Sequence, residues 1–329
     1  MSIASMRKKV SDKKILSGIR NILIYFPTNI GDTVLAFPVL DKIKANYPQS
    51  NITAIASPKT KDFILRNNSI DEVILFNKRW SSGQKRRFAF SLRGKYDFVI
   101  DLKNSFLPAI LKPKFRTSFL RFFPKDMHIR DKYLALIEKF TRKGNVKKCD
   151  IILNPTEKSK WEKLQPKPSI FIACSSLTLI KSYPHKFLEE VVRKLIKKYP
   201  VTILGSERDS QFYKNVLAIE GIVDLVGKTT ISDVFYILKK YCLLLLAVDS
   251  SILHMGSYLD LPTVAIFGPT HPDRSHPYSI NCTVLRNKDL SCVPCEKSQC
   301  SFKNECMDIE PEEVIQAIAQ TLDKNISYT

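Results

Sequence analysis

The 329-residue sequence has no run of about 18 apolar residues, so no segment reads as a membrane-spanning helix. Its opening, MSIASMRKKVSDKKILSGIR, is basic but lacks the apolar stretch of a secretory signal, and the expected location is the cytoplasm. No internal repeat and no low-complexity tract occurs, which excludes a repeat architecture. The Gly-containing turn in FPTNIGDTVLAFPVLDKI (26–43) is neither GxGxxG nor a phosphate P-loop, because it lacks the Lys-Ser/Thr element. Negative charge is scarce in one half only. Residues 1–160 hold 33 Lys and Arg against 13 Asp and Glu, whereas residues 161–329 hold 19 of each, so the whole excess of +20 lies in the first half. RKK at 7–9, KRR at 85–87 and Lys112, Lys114, Arg116, Arg121, Lys125 and Arg130 are examples. Such a field attracts nucleic acid, lipid head groups or phosphorylated glycans, or simply keeps the surface solvated. Phe88, Phe90, Phe119, Phe122 and Phe123 lie near these charges without an RNA- or DNA-binding signature, and Phe119, Phe122 and Phe123 read as a membrane-facing or core stripe.

What is present is apolar material for a core, 44% of the residues, arranged as strand-like runs alternating with helix-like segments. Runs at 21–26, 51–57, 72–76 and 97–102 form one series, followed by a basic, irregular stretch to about 150. Runs at 169–174, 201–205, 223–227, 243–248 and 263–268 form a second. Strands spaced by helices predict parallel sheets covered on both faces. The polar stretch 154–168 reads as the join between two doubly wound domains, 1–160 and 161–310, with a cleft between them. PEEVIQAIAQTLDKN (311–325) predicts a terminal amphipathic helix opened by a proline and two acids.

The segment LLLLAVDSSILHMG (243–256) runs from a buried strand into four polar residues. Ligands of open parallel sheets sit beyond the carboxyl ends of strands, and a helix starting there offers free N–H groups to an anion. Ser250 and Ser251 therefore read as an anion cradle with Asp249 as an acceptor for sugar hydroxyls, or Asp-Ser-Ser reads as an ordinary helix cap. His254 faces the same mouth, with His271, Arg274 and His276 on the turn after the next strand. In the first series, FPTNIGDTVLAF (26–37) places Asp32 at a helix start, as a cap or as a carboxylate able to take a proton from a hydroxyl. Four of the eight cysteines, Cys292, Cys295, Cys300 and Cys306, follow C-x2-C-x4-C-x5-C, which suits a structural tetrahedral metal site or a reduced loop. Cys149, Cys174, Cys242 and Cys282 read as scattered buried thiols.

In order and spacing, IGDTVLAFPVL, KYDFVIDLKNS, IKSYPHKFLEEV, LGSERD, VDSSILHMGSYLDLPTVAIFGPTHPDRSHPY and CVPCEKSQCSFKNECM resemble family-9 glycosyltransferases, the ADP-heptose:lipopolysaccharide heptosyltransferases. The resemblance implies an α/β GT-B fold, two Rossmann-like doubly wound domains facing a central cleft, with the helix 311–329 packing back on the N-terminal domain. It implies an inverting transfer with Asp32 as general base and Lys181 at the donor phosphates. Ser176, Thr178, Glu207, Asp249, Ser250, Ser251 and His254 fall on the donor side, and Asn29, Gly31, Lys103 and Asn104 on the acceptor side. The partners so implied are ADP-heptose and an anionic lipopolysaccharide precursor at the inner membrane, with no nucleic acid and no catalytic cofactor. Asp-x-Asp is absent, in keeping with metal-independent transfer. A related group of autotransporter heptosyltransferases carries an iron-binding Cys finger, which makes zinc or iron the candidates at the Cys cluster. Ser251 replaces the family's usual Gly, Tyr183 a Trp, and His271 a frequent acid. Leu177 and Ser176 stand where hydroxyl residues often precede the lysine. The competing readings are a same-fold transferase with another donor or a protein acceptor, and a basic nucleic-acid-binding protein.

Overall fold

The computed structural model describes residues 18–118, 121–164, 167–287 and 289–326. The basic segment at 7–9 and Phe119 lie outside them. The chain divides into two compact units between Ile152 and Leu153.

In the first unit, β1 (Asn21–Tyr25), α1 (Ile30–Asn46), β2 (Asn51–Ala56), α2 (Lys61–Leu65), β3 (Glu72–Leu75), α3 (Ser82–Ser91), β4 (Phe98–Asp101), α4 (Leu107–Leu111), β5 (Phe115–Arg116) and α5 (Ile129–Ile137) follow one another. The sheet order is β3-β2-β1-β4-β5, with every pairing parallel. Ile22, Leu23, Ile24, Val99 and Ile100 are wholly buried, as strands covered on both faces must be. Strand order reverses between β1 and β4; the turn after β1 ends at Asn29 with Asp32 in the first turn of α1, and the turn after β4 carries Lys103 and Asn104.

The second unit runs α6 (Pro155–Leu164), β6 (Ser169–Ala173), α7 (His185–Leu195), β7 (Val201–Ile203), α8 (Ser210–Leu217), β8 (Val223–Asp224), α9 (Ile231–Tyr241), β9 (Cys242–Val248), α10 (Ser251–Tyr258), β10 (Thr263–Phe267), α11 (Pro272–Ser275), β11 (Cys282–Arg286) and α12 (Pro311–Ile326). Its order, β8-β7-β6-β9-β10-β11, is the doubly wound arrangement, all parallel, with the reversal between β6 and β9.

The polar stretch 154–168, expected as a join, is mostly α6. Asn154 and Glu157 exchange backbone-to-side-chain hydrogen bonds of 2.9 and 3.0 Å at its start. Trp161 is fully buried and donates from Nε1 to Asp233 Oδ1 at 2.7 Å, which ties α6 to α9 and moves the boundary from 160 to 152. The last helix clusters with the second unit, not with the first as expected: α12 packs on α7, β9, β10 and β11, and Tyr183 in front of α7 donates to Ile309 O at 2.6 Å. Strands β5 and β11 lie where no strand was expected, and β8 is two residues rather than five. Cys149 and Cys174 are buried, but Cys242 and Cys282 are only half-buried.

Candidate active site

In the second unit, β9 ends at Val248 and α10 starts at Ser251. Ser250 is the N-cap, its Oγ accepting from Leu253 N at 3.5 Å. Capping thus falls to Ser250, and the Asp249 carboxylate is engaged elsewhere. Oδ2 accepts from Lys181 Nζ at 2.9 Å and Oδ1 from Ser275 Oγ at 3.4 Å, while His254 Nε2 lies 3.9 Å from Oδ1. Burial pushes the Asp249 carboxyl up, but the charges of His254 and Lys181 outweigh it and hold the group below the usual carboxylate range.

Beside this cluster a cavity of about 370 Å³ opens beyond the carboxyl ends of β6 and β9, at the point where strand order reverses. Ser175, Ser176, Thr229, Thr230, Ser250 and Ser251 supply hydroxyls around it. Thr230 caps α9 and Ser250 caps α10, so two helix N-termini open on one space. Hydroxyls, free N–H groups and two positive helix ends suit an anionic ligand. The loop after β6 is fixed from beneath: Tyr213 Oη accepts from the N–H groups of Cys174 and Ser175 at 2.8 and 2.9 Å. Ser176 and Thr178 shape the turn that delivers Lys181. Ser176 Oγ accepts from Thr178 N at 3.4 Å, and Thr178 O accepts from Lys181 N at 2.9 Å.

Glu207 is exposed and does not line the cavity, although Ser206 and Asp209 on either side of it do. Its carboxylate lies against the backbone of Gly227, which has φ +69°. A Cβ there would stand 2.1 Å from Glu207 Oε2, so only glycine leaves the acid this position. Three candidates on the α11 turn have local partners. His271 lies 3.6 Å from Asp273, Arg274 pairs with Glu296, and His276 Nδ1 is 3.0 Å from Pro272 O.

In the first unit Asn29 is the N-cap of α1, without a side-chain cap bond. Gly31 and Asp32 are the second and third helical residues, so Asp32 is not the cap. Asn29 Nδ2 donates to Asp32 Oδ2 at 3.5 Å. Tyr133 of α5 is held strongly towards its protonated form, by burial first and then by the negative charge of Asp32. The loop after β4 is organised by buried Asp101, which accepts from Lys103 N at 2.8 Å and from Ser105 N and Oγ at 2.7 and 2.6 Å. Lys103 Nζ donates to Tyr25 Oη at 3.0 Å and sits 4.6 Å from that ring's centre. Burial lowers its pKa, Asp101 opposes that, and Lys78 adds to it. Asn104 takes φ +54° and bonds to the backbone of Arg121. A cavity of about 300 Å³ beyond β1, β2 and β3 brings Asn29 and Lys103 together with Lys59, Lys78 and Arg79.

Sequence reasoning passed over Tyr213, Thr229, Thr230, Ser275, Lys59, Lys78 and Arg79. All but Tyr213 and Ser275 lie in the loops that follow a strand's carboxyl end. That position was the available signal.

Cys292, Cys295, Cys300 and Cys306 line one cavity of about 40 Å³. Cys300 Sγ accepts from Phe302 N at 3.3 Å. The Cys306 thiol is pushed up to about 11, by burial first and then by the charges of Cys300, Cys295 and Cys292. Among the described residues no group of three or more His, Cys, Asp or Glu side chains is arranged to hold a metal ion.

The chain is similar to several known proteins. The model of glycosyltransferase family 9 (heptosyltransferase) matches residues 85–305. Lipooligosaccharide heptosyltransferase 2 of Campylobacter jejuni is 28% identical over 90% of this chain and 98% of its own. The solved ADP-heptose LPS heptosyltransferase II of Escherichia coli superposes with a TM-score of 0.73 at 22% identity, covering 93% of this chain and 99% of that one. A dodecameric iron-containing glycosyltransferase of enterotoxigenic Escherichia coli gives 0.60 at 14% identity, covering 94% and 77%. The two parallel units are those of the GT-B heptosyltransferase fold. With the family model matched over most of its length, the chain belongs to glycosyltransferase family 9, the heptosyltransferases.

Proposed function

We propose that the protein is an inverting heptosyltransferase that moves a heptose from ADP-heptose to a hydroxyl of a lipopolysaccharide inner-core acceptor, lipid A–Kdo or a first heptose. The observation that carries this reading is the Lys181–Asp249–His254 cluster beside a hydroxyl-lined cavity with two helix N-termini, in a member of a heptosyltransferase family. The second unit takes the nucleotide sugar. Ser176, Thr178 and the N–H groups of Ser250 and Ser251 receive the diphosphate, and Glu207 accepts hydrogen bonds from the ribose. The first unit takes the acceptor through Asn29, Gly31, Lys103 and Asn104.

In the chemical step Asp32 accepts the proton of the acceptor hydroxyl as its oxygen bonds to the anomeric carbon. The bond from that carbon to the diphosphate breaks on the opposite face, its electron pair leaves with ADP, and the configuration inverts. Lys181 and the positive end of α10 offset the charge growing on the diphosphate. Asp249 holds Lys181 in place before the donor arrives. The step needs no metal. Zinc or iron at Cys292, Cys295, Cys300 and Cys306 has a structural role in this reading and requires the four thiols to draw together. The enzyme works at the cytoplasmic face of the inner membrane, against an anionic leaflet.

A panel of ADP, UDP and GDP sugars tests the donor. ADP-heptose should raise the unfolding temperature most and be the sugar transferred. A larger shift and faster transfer with a UDP or GDP sugar would remove the donor assignment.

A further inference from the structure

We infer that the first unit carries a docking face for an anionic bilayer surface, built by α3, α4 and the irregular segment that contains Phe122. The inference rests on the reading of a lipid-linked acceptor, because such a substrate has to be met where its lipid lies. Segments 73–96 and 102–125, which contain α3 and α4, together hold 13 Lys and Arg and no Asp or Glu. Within them, side chains suited to a core stand in solvent: Phe90, Phe106, Ile110 and, at 95% exposure, Phe122.

Local geometry gathers these residues. Helices α3 and α4 pack on each other. Phe106, the N-cap of α4, and Ile110 within it are four residues apart and share one face. Asn104 donates to Arg121 O at 3.1 Å and accepts from Arg121 N at 3.0 Å, which holds Phe122 beside the turn that leads to Phe106. The cations are interleaved with the rings: the Arg86 guanidinium lies 5.9 Å from the centre of Phe90 and that of Arg121 5.1 Å from Phe123.

Apolar tips rimmed by long cationic side chains match the boundary between acyl chains and anionic head groups. A second copy of the chain is the wrong occupant, because two-fold contact would set cation against cation. A nucleic acid would satisfy the charge, but Ile110 offers no ring for a base to stack on. The loop that carries Phe106 also carries Lys103 of the 300 Å³ cavity, so docking holds that cavity at head-group level.

The test is co-sedimentation of the full chain with vesicles of phosphatidylcholine alone and with about one-third phosphatidylglycerol. Binding is expected to the anionic vesicles only and to fall with added salt. Phe106→Ser/Ile110→Ser/Phe122→Ser should weaken it at least ~10-fold, and Arg86→Glu/Arg87→Glu roughly 25-fold or more, at about fivefold or more per cation lost. Both variants change exposed side chains and should keep the wild-type unfolding temperature and its shift with ADP. Equal binding to neutral vesicles, or wild-type binding by the triple variant, overturns the docking face. So does single-stranded RNA that binds more tightly than the anionic vesicles and ignores the triple substitution. Transfer to a delipidated acceptor fragment separates the two claims. If wild type transfers to the fragment but does not bind vesicles, only the docking face falls. If it binds vesicles as expected and transfers to no acceptor, only the acceptor reading falls.

Discussion

Replacing Lys181 by Met tests the electrostatics of the donor side. At 2.9 Å and an effective dielectric of about 20, the attraction between Lys181 and Asp249 is roughly 6 kcal/mol before desolvation. Most of that is spent on removing both groups from water. The Asp249 side chain is 10% exposed and that of Lys181 27%, so the carboxylate has the larger burial penalty. The variant leaves it with His254 at 3.9 Å and the Ser275 hydroxyl. Allowing for both, the expected loss is about 2–3 kcal/mol at pH 7, somewhat less than for a fully orphaned buried charge.

The sign with pH is specific. In the wild type the folded pKa of Asp249 is depressed, so its contribution is present above the unfolded value near 4 and is lost only as pH falls through the lower folded value. Without Lys181 the group moves up. The variant then loses stability as pH rises through the new folded pKa, and the gap to wild type narrows from pH 7 towards pH 5. Urea unfolding across that range measures the gap. The double variant Lys181→Met/Asp249→Asn should recover most of the stability and none of the ADP affinity. A single variant within ~0.5 kcal/mol of wild type at every pH would refute the reasoning.

Three further outcomes are expected. Gly227→Ala sets a Cβ into the Glu207 carboxylate at a positive φ and should cost about 1–3 kcal/mol in unfolding, with weakened ADP binding by calorimetry. Tyr213→Phe leaves the N–H groups of Cys174 and Ser175 without their acceptor, and should lower stability by ~1–3 kcal/mol while raising the Kd for ADP. Metal analysis of protein purified without chelator should find close to one zinc or iron per chain, lost on replacing Cys306 by Ser; a metal-free wild-type protein would remove the structural-metal reading.

Much of the fold was legible because both sheets are parallel and buried on two faces. Their strands are therefore near-continuous apolar runs, such as LLLLAV, that need no alternation to be recognised. The two-residue strand β5 leaves too little pattern to read, and at β8 the apolar run 223–227 continues beyond the two residues that pair. Helix α6 reads as a linker because one buried residue, Trp161, anchors a segment that is otherwise mostly polar. The final helix showed its amphipathic face in sequence, but nothing in that face says which unit it covers, and α7 with β9–β11 supplies the partner. Within the site, residues on strand ends were recoverable by position. Tyr213 was not, because an ordinary helical tyrosine reveals its role only when its hydroxyl meets two backbone N–H groups.

The central claim is that Asp32 takes the acceptor's proton while the second unit holds ADP-heptose. Its most direct measurement is the single-turnover transfer rate of Asp32→Asn with ADP-heptose saturating, beside the variant's affinity for ADP. The account predicts a fall of at least ~100-fold in the rate with ADP affinity unchanged. Transfer within a few-fold of wild type would contradict it.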